Sequence, residues 1–221
     1  MAAAGASPSG RLGILGGFPV GVVNWDINAF TLGARAVKPE ATVNVVYTNS
    51  WWDPVKEGQV TEALLDGGVE VIANNLSSSA PFIAAEARGA ASIGFQLDMR
   101  KHAPVGNLTS VMCQWDKALV PVIRGLVDGT WTPGELGTFP GMAEGVVALA
   151  PLSDKVSADV QARMKKVEAE IVGGRFSPFQ GPILKQDGSE AMPAGAVIDD
   201  AALWGMDYLV AGTVGTMPAA P

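Results

Sequence analysis

A single cysteine, Cys113, and a single histidine, His102, stand among the 221 residues of the chain. One thiol excludes an internal disulfide and any thiolate metal cluster, and in its apolar run Cys113 reads as a small core residue. One imidazole leaves zinc sites and serine–histidine–acid triads without their usual parts. Positive charge is scarce too, with 15 Lys and Arg against 22 Asp and Glu, a net charge of −7. Nucleic acid is therefore not an expected partner, because phosphate recognition needs a basic face. No run reaches the roughly 18 apolar residues of a membrane span. Residues 1–10 are mostly Ala, Gly, Ser and Pro, lacking the charged and apolar regions of a signal peptide and any cysteine for a lipid. They read as a disordered start, and a chain beginning this way, taken literally, stays in the cytoplasm. Phosphate cradles are missing as well. Gly13-Ile14-Leu15-Gly16-Gly17 misses the G-x-G-x-x-G spacing, and neither a P-loop nor a G-x-S-x-G elbow occurs. No cofactor, metal site or catalytic centre is expected.

What is present is apolar and regular. Nearly half the residues are hydrophobic, and the 27 Gly and 15 Pro fall between apolar runs rather than in one block. From residue 11 to 128, short apolar runs alternate with helix-length amphipathic stretches, the pattern of βα units in a parallel sheet. Strands are predicted at Leu12–Gly16, Val43–Thr48, Val69–Asn74, Ala91–Phe95 and Leu108–Met112, the last an edge strand or a crossover. Helices are predicted at Val22–Ala36, Val55–Asp66, Ala80–Arg88 and Asp116–Asp128. Val23, Ile27 and Phe30 form the inward stripe of the first, while Gly67-Gly68 and Gly89 stop the second and third. Residues 129–221 read as a connection (Gly129–Gly141), a charged helix at Ser157–Val172 with cap chemistry in Ser153 and Asp154, and a hairpin over Phe176–Pro193 turning at Asp187-Gly188. A short helix near Asp199–Met206 follows.

In such a sheet, ligands bind beyond the carboxyl ends of the strands. Phe18 follows the first strand, Trp51 and Asp53 the second, Asn74 and Ser77 lie around the end of the third, and Gln96 and Asp98 follow the fourth. Aromatic, amide, hydroxyl and carboxylate groups on one rim suit a flat, nitrogen-rich ring. Phe18 and Trp51 would sandwich it, at roughly 1–3 kcal/mol per stacked ring. Asp98 would accept its N–H groups, each charge-assisted bond contributing about 1.5–3 kcal/mol. Other roles stand beside these. Asp98 could cap the following turn, and Ser77–Ser79 could be plain loop with Ser79 as a helix cap. Of Trp51 and Trp52, an extended chain turns one inward, and Trp52 is assigned to the core. Trp25, Trp115, Trp131 and Trp204 are read as packing.

The runs Gly17-Phe18-Pro19, Ile27-Asn28-Ala29-Phe30-Thr31-Leu32-Gly33-Ala34-Arg35, Asn49-Ser50-Trp51-Trp52-Asp53-Pro54, Leu108-Thr109-Ser110 and Gly181-Pro182-Ile183 resemble the basic membrane protein family. These are solute receptors of ABC transporters for purine bases and nucleosides, and the chain looks most like the adenine-binding branch. The resemblance implies a Rossmann-like parallel-sheet lobe of a type I periplasmic-binding-protein fold, here with a C-terminal α+β extension. It places the stacking aromatic on Trp51, the recognition carboxylate on Asp98 and a further aromatic on Phe18. Departures accompany it. Leu76-Ser77 stands where the base-binding branch often has threonine–aspartate, and Cys113 stands where the nucleoside branch has lysine.

The family also has a first lobe ahead of the position of Leu12, preceded by a signal. The resemblance therefore implies that 129–221 packs on or completes a mostly absent lobe, that exposed apolar surface favours self-association, and that half a cleft binds weakly or not at all. It implies a permease partner and a periplasmic or membrane-anchored extracytoplasmic location. The alternatives are a cytosolic ligand-sensing regulator on the same fold and, least favoured, a nucleoside-acting enzyme with Asp98 or Asp53 as acid or base.

Overall fold

The computed structural model describes residues 1–133 and 140–219. The chain runs α1 (Ala2–Ala6), β1 (Arg11–Gly16), α2 (Gly21–Val37), β2 (Thr42–Tyr47), α3 (Pro54–Asp66), β3 (Val71–Asn75), α4 (Ala80–Ala87) and β4 (Ala91–Gln96). A 3-10 turn (Met99–Lys101) leads to β5 (Asn107–Cys113) and α5 (Trp115–Val127). Then come β6 (Val147–Leu149), α6 (Ala158–Val172), β7 (Ile183–Leu184), β8 (Glu190–Met192), α7 (Asp200–Trp204) and β9 (Thr213–Val214). Among the described residues the main sheet has the order β6-β5-β4-β3-β1-β2-β9. Its pairs are parallel except that of β5 with β6. The fold is α/β, as read from the alternating pattern.

Strand alternation divides the core between two faces. Leu12, Ile14, Val43, Val45, Val71 and Ala73 pack with Val23, Ile27 and Ala34 of α2. Leu15 and Ile72 turn the other way, onto Val60 and Leu64 of α3 and Ala85 of α4. The predicted stops also form: Gly67 ends α3, and Gly68 and Gly89 take the left-handed backbone, with φ of +83° and +68°, before the next strands.

The start of the chain is where expectation and structure part. Residues 1–10 were expected to be disordered, yet Ala2, Ala3 and Ala4 are buried in a short helix against α2, α6 and the sheet. Small side chains permit the approach: a Cβ on Gly5 would lie 2.9 Å from Val160. Ser7 then donates to Glu70, and the Lys38 ammonium donates to the carbonyls of Ser7 (2.7 Å) and Pro8 (2.8 Å). Nor does the Ser153-Asp154 pair cap α6, which starts after Ser157 with no side-chain cap bond.

Of residues 129–219, β6 and β9 join the main sheet, while β7 and β8 pair in a small sheet of their own. The middle of the predicted connection, 134–139, lies outside the described residues. β6 flanks β5, so β5 is an inner strand, and β9 flanks β2. The predicted hairpin forms as β7 and β8. With α7, it seats Phe179, Ile183, Met192, Met206 and Val210 against Trp25, Ala29 and Leu32 of α2. Two buried asparagines of α2 lock this contact. Asn24 donates to the Met206 carbonyl (2.8 Å) and Asn28 to that of Tyr208 (2.8 Å), while Asn28 accepts from the Val210 N–H (2.9 Å).

Candidate functional site

The carboxyl ends of β1 to β4 converge on one rim, and their backbones leave the sheet in unusual ways. The β1–β2 ladder runs past the strands, with the Thr48 N–H on the Gly16 carbonyl (2.9 Å) and the Asn49 N–H on that of Gly17 (2.8 Å). Asn49 then takes φ +53°, and Gln96 at the end of β4 takes φ +66°. A left-handed non-glycine residue costs on the order of 1 kcal/mol or more and tends to mark a functional turn. Both lie at strand ends on the rim.

Asn49 turns the chain so that the Trp51 indole lies over Gly17. A Cβ at residue 17 would sit 2.7 Å from Trp51 Cε3, so only glycine leaves room for the ring. The Phe18 ring packs against the same indole at 5.2 Å between centroids and 59° between planes. Trp51 keeps 46% of its surface exposed, so a large part of the aromatic platform remains free. Trp52, expected in the core, is 65% exposed. The loop is a turn, not a strand: Thr48 Oγ1 donates to the Ser50 carbonyl (2.9 Å) and Trp52 N–H to Ser50 Oγ (3.1 Å), turning both indoles outward. Asp53 caps α3 through the Lys56 N–H (3.1 Å).

The other predicted residues are placed less uniformly. Ser77 is exposed and joins the platform through its backbone, its N–H on the Trp51 carbonyl (3.0 Å). Asn74 is buried and donates to the Ser78 carbonyl (3.4 Å), while its Oδ1 has no partner among the described residues. Gln96 accepts from the Trp115 indole (3.2 Å) at the far side of the rim. Asp98 caps the 3-10 turn, the second of the roles read from the sequence. It accepts from the Arg100 N–H (3.1 Å) and from Arg100 Nε (2.9 Å to Oδ2). The Arg100 guanidinium holds its carboxyl below the usual carboxylate range. Phe18, Trp51 and the Ser77 backbone are thus brought together, Asn74 lies near the end of β3, and Gln96 and Asp98 pair instead with Trp115 and Arg100.

A titratable group not singled out in the sequence lies close by. Asp26 of α2 accepts a hydrogen bond from Asn75 at the end of β3 and another from the Trp25 side chain. It lines a cavity of about 210 Å³ with Ile14, Phe30, Ala73, Ile93 and Phe95. Burial in these surroundings pushes its pKa up to about 7, despite the two bonds that favour the charged form. The helical register carried the signal, since Asp26 lies three residues after Val23 and four before Phe30, on the inward stripe. Among the described residues no three His, Cys, Asp or Glu side chains cluster as metal ligands, and no helix is long and apolar enough to cross a membrane.

The mostly parallel sheet packed with helices is the α/β fold of periplasmic solute-binding proteins. Solved structures share this fold. A transcriptional activator of the comK gene from Bacillus halodurans aligns with a TM-score of 0.66 at 22% identity, covering 78% of this chain and 59% of that one. An ABC transporter solute-binding protein from Conexibacter woesei aligns with a TM-score of 0.59 at 21% identity, covering 79% and 59%. The chain belongs to the Bmp family of PnrA-like ABC transporter substrate-binding proteins, whose pattern matches residues 1–177. A purine-binding protein of Brucella abortus is 40% identical over 216 residues, which make up 98% of this chain and 61% of that protein. A protein of Haloferax volcanii named for glucose binding by an ABC transporter is 30% identical over 81% of this chain and 45% of its own length. The chain therefore spans about three-fifths of the Brucella protein and less than half of the Haloferax one.

Proposed function

We propose that the chain binds a purine base or nucleoside, adenine-like by preference, as the solute-binding component of an ABC transporter, delivering it to a permease from the extracytoplasmic side. The observation that carries this reading is the Trp51 platform, an exposed indole laid over Gly17 and edged by Phe18 at the carboxyl end of a parallel sheet. A flat ring stacks on such a face and excludes water from both surfaces. The purine-binding relative, similar along nearly the whole chain, supports the same class of ligand. No acid–base pair is needed for this role. Detecting base release from a nucleoside would instead favour an enzyme.

Asp98 is the recognition carboxylate in this reading, and its pairing with Arg100 makes the assignment testable. A purine N–H must displace the guanidinium from a carboxylate that already accepts several bonds. Arg100→Ala should therefore tighten purine binding several-fold, measured by calorimetric titration. An unchanged or weaker affinity would remove Asp98 from the site.

A second reading, a sugar, draws on the Haloferax relative and on the same indole, whose apolar face also suits the C–H face of a hexose. Titration of purines and glucose in parallel separates the two, since only the favoured ring should saturate the site.

The chain also presents an apolar helix face to solvent. α5 buries none of its residues, and Trp115, Leu119, Val120, Ile123, Leu126 and Val127 are all exposed. A continuous face of this kind favours self-association. Sedimentation should show the chain heavier than a monomer at high concentration, with Ile123→Glu returning it to a monomer. A wild-type monomer throughout would count against this.

A further inference from the structure

The rim's two active loops share no ladder, yet one buried side chain holds them both. Glu57, in the first turns of α3, has no exposed surface. One carboxyl oxygen accepts from the Asp53 N–H at 2.8 Å, closing back on the loop that carries Trp51 and Trp52. The other accepts from Ser78 Oγ at 2.5 Å, in the loop after β3. Ser78 Oγ in turn accepts from the Ala80 N–H (3.2 Å), so the same hydroxyl also sets the start of α4. A second tie runs alongside, from the Ser77 N–H to the Trp51 carbonyl (3.0 Å). On the other flank the Lys56 ammonium reaches the Thr48 carbonyl at 2.5 Å.

We propose that Glu57 is the positioning residue of the binding platform: its carboxyl couples the Trp51 loop to the Ser77–Ser78 loop and fixes the indole over Gly17. The chemistry calls for an acceptor pair. Both neighbours that face the carboxyl are donors, an N–H and an O–H, and they come from loops separated by α3. A hydrophobic side chain there would leave the Asp53 N–H and the Ser78 hydroxyl without acceptors inside the protein, and each loop would relax to find its own. A helix-capping role alone would need only the Asp53 bond. The Ser78 bond is what extends the role to the second loop. This inference rests on Trp51 being the stacking residue of the proposed function.

The test uses the full chain labelled with 5-fluorotryptophan, in which Trp51→Phe assigns the Trp51 fluorine resonance. Ser78→Ala removes the Glu57 tie together with the Ala80 N–H bond, but it changes no apolar core side chain and leaves the Ser77–Trp51 backbone bond in place, so it should fold. It is expected to shift and broaden the Trp51 resonance, leave Trp204 unmoved, and weaken adenine binding by about tenfold. Glu57→Leu should do the same or more. Glu57→Gln, whose amide can accept from Asp53 and donate to Ser78 Oγ, should restore both resonance and affinity. A Trp51 resonance unmoved in Ser78→Ala, or an adenine affinity equal to that of the wild type, overturns the proposal. If the wild type binds no adenine, the purine reading fails, and the fluorine spectra alone still decide whether Glu57 positions Trp51.

Discussion

Replacing Trp51 by alanine is expected to weaken purine binding by ten- to a hundredfold while leaving the melting temperature close to that of the wild type. The magnitude follows from the stacking contribution of roughly 1–3 kcal/mol per ring, all of it lost when the indole goes. Stability should barely move because Trp51 is 46% exposed, its ring lying over Gly17 and against Phe18 at the surface. Trp52→Ala is the internal control. Its indole is more exposed still and has no ring partner among the described residues, so its removal should cost little of either quantity. Calorimetric titration with adenine, run beside thermal melts, measures both. Equal losses from the two tryptophans would mean that the loop is merely sticky.

The second large effect concerns pH. A carboxyl whose folded pKa lies at about 7, against 3.8 in the free side chain, keeps its proton in the native state long after the unfolded chain has lost it. Between about pH 4 and pH 7 the folded state binds more protons, so Asp26 withdraws stability as the pH rises and stops doing so above about 7. The full interval corresponds to about 4 kcal/mol as an upper figure. Asp26 retains part of its surface and lines the cavity, and water there lowers the cost, so we expect on the order of 2 kcal/mol. Asp26→Asn keeps an acceptor for Asn75 without the charge. It should raise the melting temperature at pH 8 by about 4–8 °C, with the gain shrinking toward pH 4. Melting curves of both proteins across this range provide the check. A difference independent of pH would show that Asp26 is not the group being titrated.

Much of the fold was legible because its signals are local. β1 to β5 and α2 to α5 follow from strand runs and helical stripes, and the glycine stops from the need for positive φ. What escaped has physical reasons. α1 is built from alanines, whose small size lets them lie flat in the core but gives no apolar period to read. β6 and β9 are three- and two-residue edge strands, defined by the neighbour they join and not by their own sequence. The inward position expected of Trp52 presumes an extended chain, and the Ser50 turn removes that premise.

The site divides in the same way. Phe18 and Trp51 are legible as strand-end aromatics because both features are visible in a sequence, and the structure brings the two rings together. For Asp98 the sequence leaves two roles open, and in this structure the carboxyl fills the cap while paired with Arg100. Asp26 and Glu57 were missed because a carboxyl group reads as surface until its partners are known. Those partners, Asn75 and Ser78, lie 49 and 21 residues away.

The measurement that bears most directly on the central claim is a tryptophan-fluorescence titration of the chain with adenine, guanine, adenosine, guanosine and glucose, repeated on Trp51→Ala. The account predicts saturable quenching by a purine, absent with glucose and lost in the mutant. Saturation by glucose alone, or purine quenching that survives the loss of Trp51, would contradict it.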